Sequence, residues 1–140
     1  MNEDANTINP PDRDAASDDR QAISTLETIE RFHNTVNRHD VDAIMAAMTE
    51  DCLFDNTFPP PDGERHEGQA AVRAFWEGFF RLSPHAAFDV EELFGCGNRA
   101  VLRWVYRWRR PNGEPGHVRG VDVFRVRGGK VAEKLSYVKG

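Results

Sequence analysis

The sequence predicts an α+β fold, with three helices followed by a long antiparallel meander that wraps them as a curved sheet. Three observations carry this. Apolar residues recur at three- and four-residue steps before Pro84, and at alternate residues after it. The breaks "GCGN", "PNGEPG" and "GG" cut the second half into strand-length segments. The 140 residues, 39 % hydrophobic and 10 % aromatic, suffice for one domain with its own core and need no metal or disulfide staple.

In chain order, residues 1–20 hold six acids (Glu3, Asp4, Asp12, Asp14, Asp18, Asp19) against Arg13 and Arg20, and carry Pro10 and Pro11 without apolar periodicity. This stretch is expected to be a disordered acidic tail ahead of a single domain over 21–140. The whole chain carries a formal net charge of −5, so the remaining body is close to neutral. From about Asp19 to Arg38, the spacing of Ile23, Leu26, Ile29, Phe32, His33 and Val36 predicts an amphipathic helix. Asp40 is placed to cap a second, shorter helix with Val41, Ile44, Met45 and Met48 inward. "CLFDN" (52–56) reads as a short strand, and "TFPPPDGER" as a turn-rich loop that cannot be helical. Val72, Phe75, Trp76, Phe79 and Leu82 mark a third helix, ending before Pro84. Strands are expected over roughly 86–94, 99–110, 117–127 and 130–138. The last two are joined by a tight hairpin at Gly128–Gly129, where glycine supplies positive φ.

Several function classes are set aside at this level. No run approaches a bilayer span and no basic-then-apolar leader opens the chain, so the expectation is a soluble, cytoplasmic protein with no membrane partner. Cys52 and Cys96 lie in apolar stretches and are read as small buried hydrophobes. No histidine pair has the spacing of a metal site, and neither a metal nor an organic cofactor is expected. The arginines at 99, 103, 107, 109, 110, 119, 125 and 127 do not signal nucleic acid. The aromatics lie on the opposite strand parity, and the chain is acidic.

The sheet faces are more informative. Ala100, Leu102, Trp104, Tyr106 and Trp108 share one face, while Val101, Arg103, Val105, Arg107 and Arg109 share the other. The aromatic face should meet the helices. In "HVRGVDVFRV" (117–126), Val118, Gly120, Asp122, Phe124 and Val126 alternate with Arg119, Val121, Val123 and Arg125, so Asp122 stands on a face with no other charge. On the neighbouring strand it joins the aromatic set.

The runs "RFHNTVNRHDVDAIMAAMTEDCLFDN", "HEGQAAVRAFW" and "VRGVDVFRVRGGKVAEKLSYVKG" resemble the nuclear transport factor 2-like superfamily, and within it the SnoaL-like and ketosteroid-isomerase-like group, over roughly residues 22–138. The resemblance implies a cone-shaped barrel with one apolar pocket between helices and concave sheet. It also implies a homodimer packed through the convex face, where Asp89, Glu91 or Glu133 would meet the arginines. Carried over residue by residue, the oxyanion-hole tyrosine of the steroid isomerases falls on Phe32. Their general-base aspartate falls on Asn56, with Asp55 just before it, and their second oxyanion-hole acid falls on Asp122. The last-strand aspartate of the related cyclases and epoxide hydrolases falls on Ser136. One acid is kept and three expected groups are replaced, so the chain departs from the standard steroid isomerase.

The expected function is cofactor-independent acid–base chemistry (isomerase, dehydratase or cyclase) on an apolar, carbonyl-containing small molecule. Asp122 with Asn56 or Asp55 would do the chemistry, and Phe32, His33, Trp76, Trp104, Tyr106, Phe124 and Ser136 would bind the ligand. Desolvated in such a pocket, Asp122 could stay neutral and donate a hydrogen bond to a developing oxyanion. Alternatively it pairs with Tyr106, Trp104 or Lys134 and only organises the core. His117 is expected to face solvent, and His66 and His85 sit in or beside loops. Lys134 and Ser136 share a face, concave or convex. The competing reading of the whole chain is a non-catalytic ligand-binding or scaffold domain of the same fold.

Overall fold

The structure is a computed structural model that describes residues 12–140, with side chains from Asp19 onward. The elements run α1 (Asp12–Asn37), α2 (Val41–Ala46), β1 (Met48–Asp55), β2 (Arg65–Glu67), α3 (Gln69–Leu82), β3 (Ala87–Cys96), β4 (Arg99–Arg109), β5 (Pro115–Arg127) and β6 (Lys130–Val138). The acidic tail expected over 1–20 lies partly outside the described residues. From Asp12 on the backbone is helical, ahead of the start that apolar periodicity set. Apolar periodicity could not place this start, because residues 12–18 are charged, polar or small.

Asp40 caps α2 as expected, its side chain accepting from the Ala43 backbone N–H at 3.1 Å. β1 is longer than the "CLFDN" run and follows α2 almost at once. β2, a three-residue edge strand after the proline loop, is too short to carry a periodic signal. The four long strands stand close to their expected bounds, and Gly128 and Gly129 take φ of 60° and 76° in the final hairpin.

One six-stranded sheet has the order β2-β1-β6-β5-β4-β3. All neighbours are antiparallel except β1 and β6, which pair in parallel. The sheet is open: its edge strands β2 and β3 do not pair with each other, so the barrel expected from the resemblance is not closed. The core lies between the helices and one sheet face, and it is built from Ile29, Phe32, Ile44, Val72, Trp76, Leu102, Trp104 and Phe124 with their neighbours.

The opposite face carries a register row of Phe94, Val101, Val123 and Leu135 across four strands. Around it, Arg107 pairs with Asp89 at 2.8 Å, Arg119 with Glu91 at 3.2 Å, and Arg125 with Glu133 at 3.1 Å. The acids expected to reach a symmetry mate are therefore partnered within the chain. Cys52 is buried, but Cys96 is exposed, because it ends β3 beside the turn at Gly97. No helix among the described residues is long and apolar enough to cross a membrane.

Candidate functional site

A cavity of about 690 Å³ opens between α3, the loop after β1 and the inner face of the sheet. Its wall is rich in aromatic rings: Phe54, Phe75, Trp76, Phe79, Phe88, Trp104, Tyr106 and Trp108 all line it. The rings support one another, with Phe88 stacked on Tyr106 at 4.8 Å and Tyr106 on Trp108 at 5.2 Å. Such contacts hold flat side chains in place.

Two glycines on β5 make room for this wall. Gly120 pairs with Trp104 and Gly116 with Trp108. A Cβ on Gly120 would stand 2.5 Å from the Trp104 ring, and one on Gly116 would stand 2.5 Å from the Trp108 ring. Both indoles thus lie directly over bare backbone. The register runs through this stretch without interruption, so the glycines serve ring packing and no bulge turns His117 inward; it is exposed.

The register also fixes which side chains lie at which depth. Leu102, Asp122 and Ser136 form one inward row, with Phe124 and Lys134 in the next. Ser136 lines the cavity, while Asp122 and Lys134 are buried behind it at 5 % and 8 % exposure. Ser136 Oγ donates to Asp122 Oδ1 at 2.6 Å and accepts from Lys134 Nζ at 3.0 Å. Lys134 Nζ also stands 3.4 Å from Asp122 Oδ2 and 4.2 Å over the Phe54 ring. Burial pushes the Lys134 ammonium below the usual lysine range, and the Asp122 charge works against that shift.

The neutral-acid expectation for Asp122 does not fit these contacts. One oxygen accepts from a hydroxyl and the other faces an ammonium, which is the setting of a carboxylate and not of a hydrogen-bond donor. Of the partners weighed for it, Lys134 is the one in contact, and both Lys134 and Ser136 belong to the inner face.

The remaining sequence candidates separate. Trp76, Trp104, Tyr106, Asn56 and Ser136 line the cavity. Asp55 turns to the other side of β1, where Arg65 holds it at 2.7 and 2.9 Å and lowers its pKa. Phe32 and Phe124 meet edge to face at 5.9 Å in the core and are not among the lining residues. His33 is equally remote: its Nε2–H donates to the Phe88 carbonyl at 2.9 Å, pinning α1 to β3. Burial lowers its pKa and keeps the ring neutral. These three miss because α1 packs straight onto the sheet at the closed end, leaving no space there.

Two residues set aside at the sequence level do reach the cavity. His85 and Arg109 both lie at its mouth. Arg109 has outward parity, but it ends β4, where alternation no longer fixes direction. His85 sits in the short link between α3 and β3. Its position between a helix and a strand that both line the cavity is the signal that could have found it. Among the described residues no group of three or more His, Cys, Asp or Glu side chains could hold a metal ion.

The sequence matches the SnoaL-like domain family over residues 29–134. The chain belongs to that family. No curated protein matches it. Among solved structures, this SnoaL-like chain is similar to a nuclear transport factor 2-like protein of unknown function from Mesorhizobium loti, at 36 % identity and a TM-score of 0.72, over 96 % of this chain and 99 % of that one. A candidate ketosteroid isomerase from Kribbella flavida is 17 % identical with a TM-score of 0.73, over 86 % and 81 % of the two chains. A candidate polyketide cyclase from Pseudomonas putida is 20 % identical with a TM-score of 0.66, over 82 % and 91 %. At those identities the last two speak for the fold alone.

Proposed function

We propose that the cavity takes an apolar, ring-containing small molecule bearing a carbonyl, and that the protein moves a proton on it without metal or organic cofactor, as an isomerase, dehydratase or cyclase. The observation that carries this is the Ser136 hydroxyl on the cavity wall, hydrogen-bonded to a buried carboxylate at 2.6 Å. Ser136 is the point of proton exchange and Asp122 the acid–base group behind it. Trp76, Trp104 and Tyr106 form the wall, and the Asn56 amide is a polar contact for the ligand. An aromatic wall with few polar groups suits a ring system carrying one or two oxygens. The names of the ketosteroid isomerase and polyketide cyclase neighbours point the same way.

The test uses 2-tetralone, an apolar ketone with exchangeable α-protons. In D2O the protein should speed loss of its α-proton NMR signals over buffer, and Ser136→Ala should abolish that gain. A wild-type protein that binds 2-tetralone without accelerating exchange sinks the catalytic reading.

That outcome would favour the second reading, a binding domain that has lost its chemistry. Asn56 supports it, since it stands where the resemblance to the steroid isomerases places the general base, with the neighbouring Asp55 tied to Arg65. A cytoplasmic location and a homodimer belong to the same proposal. Exposed Phe94 and Tyr137, beside the Val101–Val123–Leu135 row, would form the contact. Sedimentation of wild type against Phe94→Glu tests the dimer, and a monomeric wild type removes it.

A further inference from the structure

The Ser136 hydroxyl lies between two groups that hydrogen-bond in one sense only. An ammonium donates and cannot accept, and a carboxylate accepts and cannot donate. Lys134 Nζ therefore occupies one lone pair of Oγ, at 3.0 Å, while the hydroxyl proton is committed to Asp122 at 2.6 Å. One lone pair remains. Of the three residues, only Ser136 lines the cavity.

We propose that Asp122 and Lys134 are positioning residues that together fix the sense of hydrogen bonding at Ser136, so that the ligand group meeting this hydroxyl is a proton donor, an enol or phenol O–H, and not a carbonyl oxygen. Turning the Ser136 proton toward the cavity would cost Asp122 its short, charge-assisted bond. The ammonium cannot make up that loss by reversing its own bond. It is held in place by the Phe54 and Trp76 rings, at 4.2 and 5.4 Å. The other titratable groups facing it are Asp122 from β5 and His33 from α1, and His33 is neutral. The tautomer at the closed end of the cavity is accordingly the enol, with any carbonyl oxygen elsewhere along the wall. This rests on the cavity taking a ring-containing ligand, but not on catalysis.

The experiment compares the affinities of 2-naphthol, which donates, with 2-methoxynaphthalene and 2-acetylnaphthalene, which only accept, taking naphthalene as the baseline. Wild type should bind 2-naphthol roughly five- to tenfold tighter than either acceptor, the scale of one hydrogen bond. Ser136→Ala should erase the preference, and Lys134→Arg, also a pure donor, should keep it. Asp122→Asn should reverse it, since Lys134 draws the amide oxygen and the amide N–H then donates to Ser136 Oγ, freeing the hydroxyl proton for the cavity. That reversal is a readout that simple core filling would not give. Equal or tighter binding of 2-acetylnaphthalene by wild type overturns the inference and needs no variant to be seen. An Asp122→Asn protein that retains the preference overturns it as well. If no naphthalene binds, the cavity reading falls and takes this inference with it. A preference for 2-naphthol without 2-tetralone exchange leaves the inference standing and removes only the catalysis.

Discussion

Asp122 and Lys134 face each other at 3.4 Å from adjacent strands, both almost wholly out of water. A pair in this setting adds little net stability, but removing one member leaves an uncompensated buried charge. Asp122→Asn is therefore expected to cost about 3 kcal/mol at pH 7. The double variant Asp122→Leu with Lys134→Met should recover most of it. Urea denaturation of Asp122→Leu, Lys134→Met and the double variant is the check; a loss in the double variant equal to the sum of the two single losses would show that the side chains are not coupled.

His33 makes stability depend on pH in the mildly acidic range. Its folded-state pKa lies below the ordinary value of 6.5, because burial disfavours the charged ring. As pH falls below 6.5 the unfolded chain takes up this proton first, so the contribution is full above 6.5 and is lost as pH drops toward the folded-state value. The urea midpoint should fall between pH 7.5 and pH 5.5, and His33→Gln should flatten part of that fall. A slope unchanged by the substitution would assign it to other groups.

Gly63 fixes the loop over the cavity mouth. It has φ of +74°, and a Cβ there would stand 1.7 Å from the Asn56 carbonyl oxygen. Gly63→Ala is expected to cost about 2 kcal/mol through backbone strain and to weaken 2-naphthol binding, since Asn56, Thr57 and Phe58 line the cavity. Thermal unfolding and titration read the two effects separately.

Gly120→Ala would push a methyl against the Trp104 ring and the Tyr137 carbonyl, at 2.5 and 2.4 Å. Overpacking of this kind costs about 1–3 kcal/mol. The displaced indole should also change the tryptophan emission and lower the affinity for naphthalene. An unchanged spectrum would mean that the strand yields and the ring stays.

Much of the fold was legible because alternation on β4, β5 and β6 is nearly unbroken, and alternation decides faces. It put Asp122 among the aromatics and Trp104 and Tyr106 on the inner side. It could not give depth along the sheet. Phe124 shares the face of Asp122, yet it lies one row further from the opening, under α1. The side taken by Lys134 and Ser136 follows from their pairing with β5, which no local pattern on the last strand contains. β2 and the mouth positions of His85 and Arg109 escaped for a related reason, because short segments and strand ends carry too few residues to show a period.

The two bare positions on β5 also have a meaning for design. The Trp104 and Trp108 indoles each sink toward the sheet by the width of an absent methyl, so the dimensions of the chamber are written in its floor. Hydrogen-to-methyl changes at 116 and 120 would then act as independent dials, set from beneath the rings, that narrow the space at two different distances from Ser136 without touching the polar trio. A graded set of naphthalene-sized probes could be sorted by such variants as by sieves of successive mesh.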